Sequence, residues 1–133
     1  MSNGEVLESH QAPVRLTRAA QRDVLAIRNW TRKKFGKPAA ARYEALIEQA
    51  VEDIGVNPER KGSSEPAGFP GVHVYHLTFS RNNVAGARVR EPRHFLLFRR
   101  RAEGFVEVGR ILHDSFDLEQ HLPKSYRRAE GIG

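Results

Sequence analysis

The sequence of 133 residues has no cysteine. That excludes disulfides and thiolate metal sites, and it removes redox chemistry as a guide to compartment. No apolar run approaches the ~20 residues of a membrane span, and the first residues lack the basic-then-apolar pattern of a secretion signal. The expected location is therefore the cytoplasm, with no membrane partner. A glycine-rich phosphate loop, a GxSxG elbow and an HExxH spacing are all missing. No cofactor is expected. His73, His76, His94 and His113 do not form a metal motif, because His73 and His76 fall on opposite faces of a regular strand, and no metal site is expected. Acid is the scarcer charge, with 16 Asp and Glu against 22 Lys and Arg, a net charge of +6 and a pI of about 10.2. Such a chain is drawn to polyanions: nucleic acid, an acidic protein, or both.

What is present is one domain's worth of chain. Residues 1–12 are polar and aperiodic and read as a disordered tail, as do residues 124–133. The folded domain is expected over 13–123. Pro13 to Thr17 alternates like a short edge strand, and Thr17 suits a helix N-cap. From Arg18 to Phe35, Ala20, Val24, Ile27, Thr31 and Phe35 fall at helical spacing, opposite Arg22, Arg28, Arg32 and Lys33. Gly36 is a natural stop, and Pro38 suits the first turn of a second helix. That helix runs to Val56 with an unbroken stripe of Tyr43, Leu46, Ile47, Ala50, Val51 and Ile54, ended by Asn57-Pro58. Two such helices with a short connection form an antiparallel hairpin, and their stripes need a sheet beneath them.

Residues 59–71 read as a loop. Residues 72–79 alternate as a strand, with Val72, Val74, His76 and Thr78 on one face and His73, Tyr75, Leu77 and Phe79 on the other. Residues 80–92 are a long mobile connection. A strand over 94–99, a turn, and a strongly apolar last strand over 105–112 follow; this pair is antiparallel because its connection is too short for a crossover. Asp114 or Ser115 can cap a short helix through Phe116, Leu118 and Leu122, which Pro123 stops. The fold class is α+β: an N-terminal edge strand, a helical hairpin on a small antiparallel sheet, and a short C-terminal helix.

Several segments in this order resemble one family. Arg110-Ile111-Leu112-His113 followed by Asp117-Leu118 is similar to the closing segment of the ParE branch of the RelE/ParE toxins, the toxic halves of bacterial toxin–antitoxin pairs. Ala19-Ala20 with Arg22-Asp23, Ala41-Arg42-Tyr43, and the Asn57-Pro58 ending look like the same branch. Phe98-Arg99 resembles its Tyr-Arg, with Phe in place of Tyr. The 80–92 connection is longer than in the commonest members. The resemblance implies a type II toxin that inhibits DNA gyrase by protein–protein contact, without an enzymatic activity of its own. It implies a cognate antitoxin, with operator DNA bound only through the antitoxin complex. Two alternatives stand beside it: a RelE-like mRNA endonuclease, and a non-toxic homologue that only binds antitoxin.

The candidate site residues come from charge and position. Seven arginines, Arg81, Arg88, Arg90, Arg93, Arg99, Arg100 and Arg101, lie in a segment opposed only by Glu91, which equals the whole net charge. They are either an anion-facing surface or a solvated strand and loop. Arg81, Arg93, Arg99, Arg100, Arg101, Arg110, His113 and Asp117 are the candidates for contacting target or antitoxin. As a ribonuclease the chain would use Arg99, Arg110 and His113. His113 has a side chain suited to acid–base work near neutrality, and Asp117 stands four residues on to orient it; the plainer reading is a capping or packing histidine. Arg110, a guanidinium inside an apolar strand, needs either a carboxylate partner or an exposed head.

Overall fold

A computed structural model describes residues 13–116 and 118. The elements are β1 (Val14–Leu16), α1 (Arg18–Phe35), α2 (Lys37–Val56), β2 (Ser63–Ser64), β3 (His73–His76), a 3-10 helix (Leu77–Asn83), β4 (His94–Arg100) and β5 (Val106–His113). The five strands form one sheet in the order β1-β5-β4-β3-β2.

Both helices begin and end where the sequence dictates. Thr17 sits in extended conformation and its hydroxyl accepts from the N–H of Ala20, capping α1. Gly36 alone joins the helices, at φ +96°, a conformation that side chains rarely adopt. The stripe of Leu46, Ile47, Ala50 and Ile54 packs with Ala20 and Ile27 onto Tyr75, Leu77, Leu96, Phe98, Val106, Val108 and Ile111. On the reverse of the sheet a smaller cluster holds Val72 and Leu97, with Phe69, Val74 and Leu118 against them.

One bulge sets the faces of β5. Leu97 lies opposite Arg110 and Phe98 opposite Val108, so Gly109 has no partner on β4. Val106 and Val108 face the helices before it, and Ile111 after it. Without the extra residue Arg110 would take that buried position. Thr17 holds the bulge: its hydroxyl donates to Gly109 O at 2.9 Å and its N–H to Val108 O at 3.0 Å.

The structure departs from expectation in four places. The sheet is mixed rather than antiparallel throughout, because β1 joins β5 in parallel, Val14 opposite Val106. The hairpin and three strands intervene, which is ample chain for the crossover that parallel pairing needs. The strand expected to reach Phe79 stops at His76, whose Nδ1 accepts from Thr78 N–H and turns the chain into the 3-10 helix. The start of the expected mobile connection belongs to that helix. Ser63 and Ser64, expected in a loop, add a two-residue edge strand opposite Tyr75 and Val74. Of the expected C-terminal helix, Leu118 is helical; the remainder after Phe116 and both tails lie outside the described residues.

The candidate functional site

The sheet ends in a cluster of titratable side chains. His76 closes β3, His94 opens β4 opposite His113 of β5, and Asp114 follows. The His94 and His113 rings meet edge to face, with centroids 5.3 Å apart. Asp114 is the hub. Arg93 Nε lies 3.2 and 3.1 Å from its two carboxylate oxygens, and Arg93 Nη2 lies 2.9 Å from one of them. His76 Nε2 lies 3.0 Å from Asp114 Oδ2. Because His76 Nδ1 already accepts from Thr78, the proton sits on Nε2 and is donated to the carboxylate. The hydrogen bond from Arg93, with that from His76, holds the Asp114 carboxyl down at about 2.

His94 is set between α2 and β5. Tyr43 of α2 lies with its hydroxyl 2.6 Å from His94 Nδ1 and accepts from Arg93 N–H at 3.0 Å. Burial, and then the neighbouring His113, push the imidazole down to about 4, so the ring is neutral near pH 7. Burial likewise pushes the Tyr43 phenol up to about 12, so it stays a hydroxyl. His113 is more open. Its Nδ1 accepts from Ser115 N–H at 3.2 Å and lies 2.8 Å from Ser115 Oγ. Among the described residues no group of His, Asp and Glu is arranged to hold a metal ion.

The remaining sequence candidates are scattered and mostly engaged. Arg110 Nε and Nη2 grip Asp23 of α1 at 2.7 and 3.0 Å, and the same carboxylate accepts Ile111 N–H at 2.9 Å. Asp23 thereby occupies the edge of β5 just beyond the end of β1. Arg99 and Arg101 both reach Glu107, at 3.0 and 3.6 Å, Arg100 reaches Glu59 at 3.4 Å, and Arg81 donates to Arg90 O at 2.6 Å. Asp117 lies outside the described residues. Arg99 stands five positions along β4 from His94, the residue opposite His113. At ~3.3 Å per residue that separates Arg99 from His113 by about 17 Å.

Sequence reasoning missed the residues that assemble the cluster. Tyr43 reads as one more member of an apolar stripe, and only its hydroxyl hinted at a polar partner. Asp114 reads as a helix cap. A second buried network was equally hidden. Asp53 of α2 accepts from Ser80 at 2.6 Å, Asn83 at 3.0 Å and Gln49 at 2.9 Å, with Arg60 at 3.1 Å and Tyr75 on Ser80 at 2.8 Å. Burial would raise this carboxyl, but those hydrogen bonds and the Arg60 charge outweigh it and hold it below its ordinary value.

The arrangement of a helical hairpin on a mixed five-stranded sheet recurs in a chain of a solved toxin–antitoxin system. The structure aligns with a chain of the chromosomal ParDE toxin–antitoxin system from P. aeruginosa at TM-score 0.57 and 19% identity, covering 78% of this chain and 97% of that one. A chain of the RelBE2 toxin–antitoxin complex from Mycobacterium tuberculosis aligns at TM-score 0.46 and 23% identity, covering 77% and 98%. No curated protein matches the sequence. Residues 14–118 match the family described as ParE toxin of the type II toxin–antitoxin system, parDE, and the chain belongs to that family.

Proposed function

We propose that this chain is a toxin that inhibits DNA gyrase by protein–protein contact and is neutralised by a cognate antitoxin. Family membership over residues 14–118 carries the reading, and gyrase is the target that the ParE resemblance implies. The solved relative belongs to a ParDE pair, which supports an antitoxin as the regular partner. The arrangement of the ribonuclease candidates favours contact over catalysis. Arg110 is bound to Asp23, Arg99 to Glu107, and His113 stands at the far end of the sheet from Arg99. Arg99 and His113 stand about 17 Å apart along the sheet backbone and on opposite faces of it, which speaks against their serving one scissile phosphate.

The test is tight induction in a bacterial host, with DNA damage and mRNA integrity followed in one culture. Growth arrest with a damage response and whole mRNA is the expected result, relieved by co-expression of the adjacent small gene. Fragmented mRNA with undamaged DNA would transfer the chain to the ribonuclease reading. Absence of arrest, with antitoxin binding kept, would make it a non-toxic homologue.

A further inference from the structure

The fold relocates the free positive charge. The arginine-dense segment from Arg81 to Arg101 looks like the cationic surface in sequence, yet most of its guanidiniums meet a carboxylate, a carbonyl or an amide: Arg81 on Arg90 O, Arg88 on Asn82, Arg93 on Asp114, Arg99 and Arg101 on Glu107, and Arg100 on Glu59. Helix α1 is the opposite case. Arg18, Arg22, Arg28, Arg32, Lys33 and Lys34 are all exposed on it. Its sole acid, Asp23, is consumed by Arg110 and Ile111. Of the six cations, one meets a carboxylate, Arg28 on Glu44 at 3.4 Å, across an exposed gap.

At 3.6 residues per turn, Arg18, Arg22, Arg32 and Lys33 fall within an arc of about 100°. Leu25 and Asn29 are the other residues inside it. At ~1.5 Å per residue the stripe runs about 22 Å. Beside it, between the helices, a cleft of about 360 Å³ adds Lys37 to Arg28, Asn29 and Arg32, with Glu44, the partner of Arg28, as its one carboxylate. A protein-binding face has an apolar centre with charge at its rim. This stripe carries Arg18 and Arg22 near one end and Arg32 and Lys33 at the other, with Arg28 at its margin between the two pairs; it has one apolar residue, Leu25, and no exposed carboxylate of its own. The exposed aromatics of α1, Trp30 and Phe35, pair with each other away from the stripe. Two cation pairs about 15 Å apart, with a single leucine rather than an apolar cluster between them, suit a partner whose charge repeats along a line, and a DNA duplex presents roughly 13 phosphates over the ~22 Å of the stripe.

We propose that the solvent face of α1 binds the phosphate backbone of duplex DNA, without reading sequence, and that the toxin chain does this without an antitoxin. The inference stands on α1 and is independent of the gyrase reading. The bound species is held by Arg18, Arg22, Arg32 and Lys33, with Asn29 donating between them.

The experiment is a fluorescence anisotropy titration of a labelled random-sequence duplex with the purified full chain, repeated over a salt series. Arg22→Gln, Arg32→Gln and Lys33→Gln together should weaken binding at about 50 mM salt more than tenfold and reduce the slope of log K against log salt by about 2–3. Arg88→Gln with Arg90→Gln, in the segment that looks more basic, should change the slope by less than about 1. These are exposed side chains, and an unchanged thermal midpoint verifies the fold. Equal binding by the α1 variant, or an equal loss in the loop variant, would overturn the proposal. So would competition by poly-glutamate as strong as by charge-matched duplex, which would make α1 a face for an acidic protein.

Discussion

The guanidinium of Arg110 and the carboxylate of Asp23, 87 residues apart in sequence, meet through two hydrogen bonds of 2.7 and 3.0 Å. The same carboxylate holds Ile111 N–H. The pair thus fixes the first helix to the last strand at the point where β1 ends and the strand edge would otherwise lie open. Asp23→Ala leaves both the guanidinium and the peptide N–H without this acceptor. Unfolding in urea should show a loss of about 2–4 kcal/mol. Asp23→Asn, which keeps an acceptor oxygen, should lose less. Equal losses from the two variants would mean that the carboxylate charge, rather than the backbone contact, is what matters.

Acid should destabilise the fold in a defined window. His94 is held down at about 4 by burial, against 6.5 in the unfolded chain. The unfolded state therefore binds more protons as pH falls below about 6.5, and stability declines until about pH 4, by a screened amount on the order of 2 kcal/mol. Asp114, at about 2 against 3.8, adds a further loss below about pH 4 in the same direction. His94→Gln should flatten the upper part of the profile and leave the lower part. Denaturant midpoints measured from pH 7 to pH 3 would reveal a mistaken assignment if the upper slope survived the substitution.

The Asp53 network should be costly to open. Ser80→Ala removes a buried hydroxyl that serves both Asp53 and Tyr75, and about 1–3 kcal/mol should be lost. Toxicity of the variant, scored at low temperature where the fold persists, should be unchanged.

Gly62 gives a test of packing. Its φ is +99°, and an added Cβ would clash with the ring of Phe79. Gly62→Ala should destabilise by roughly 1–2 kcal/mol, part from the backbone and part from the ring. Phe79→Ala in the same chain should return the ring's share only, because the backbone conformation stays unfavourable. Complete recovery would remove backbone strain from the account.

His113→Ala should leave growth arrest intact if the toxin acts by contact. A loss of toxicity together with a loss of RNA cleavage would instead assign the ring to chemistry.

The helices were legible because each carries its own instructions: Thr17 starts one, Gly36 separates the two, and the stripe from Tyr43 to Ile54 has an unambiguous period. The last two strands were legible from their apolar runs. The parallel seat of β1 was not, since three residues contain no record of which strand they join. The end of β3 was hidden for a related reason. Periodicity continues through Phe79, and only the ring of His76 bonding forward to Thr78 N–H, with Ser80 drawn to Asp53, breaks the ladder. The site shows the same limit. His113 and Arg110 could be singled out as residues, but Asp23 reaches Arg110, Tyr43 reaches His94 and Arg93, and His76 reaches Asp114 only through contacts that span the chain.

The parallel seat of β1 on β5 has a kinetic corollary. A ribosome releases the hairpin long before Val106–His113 exists, and until then the stripe from Leu46 to Ile54 lacks the strand that both fills its cover and seats β1. Folding must wait until Val106–His113 has emerged, and closure of so long a loop makes it slow. A nascent chain truncated before β5 should be an aggregation hazard rather than a weaker toxin.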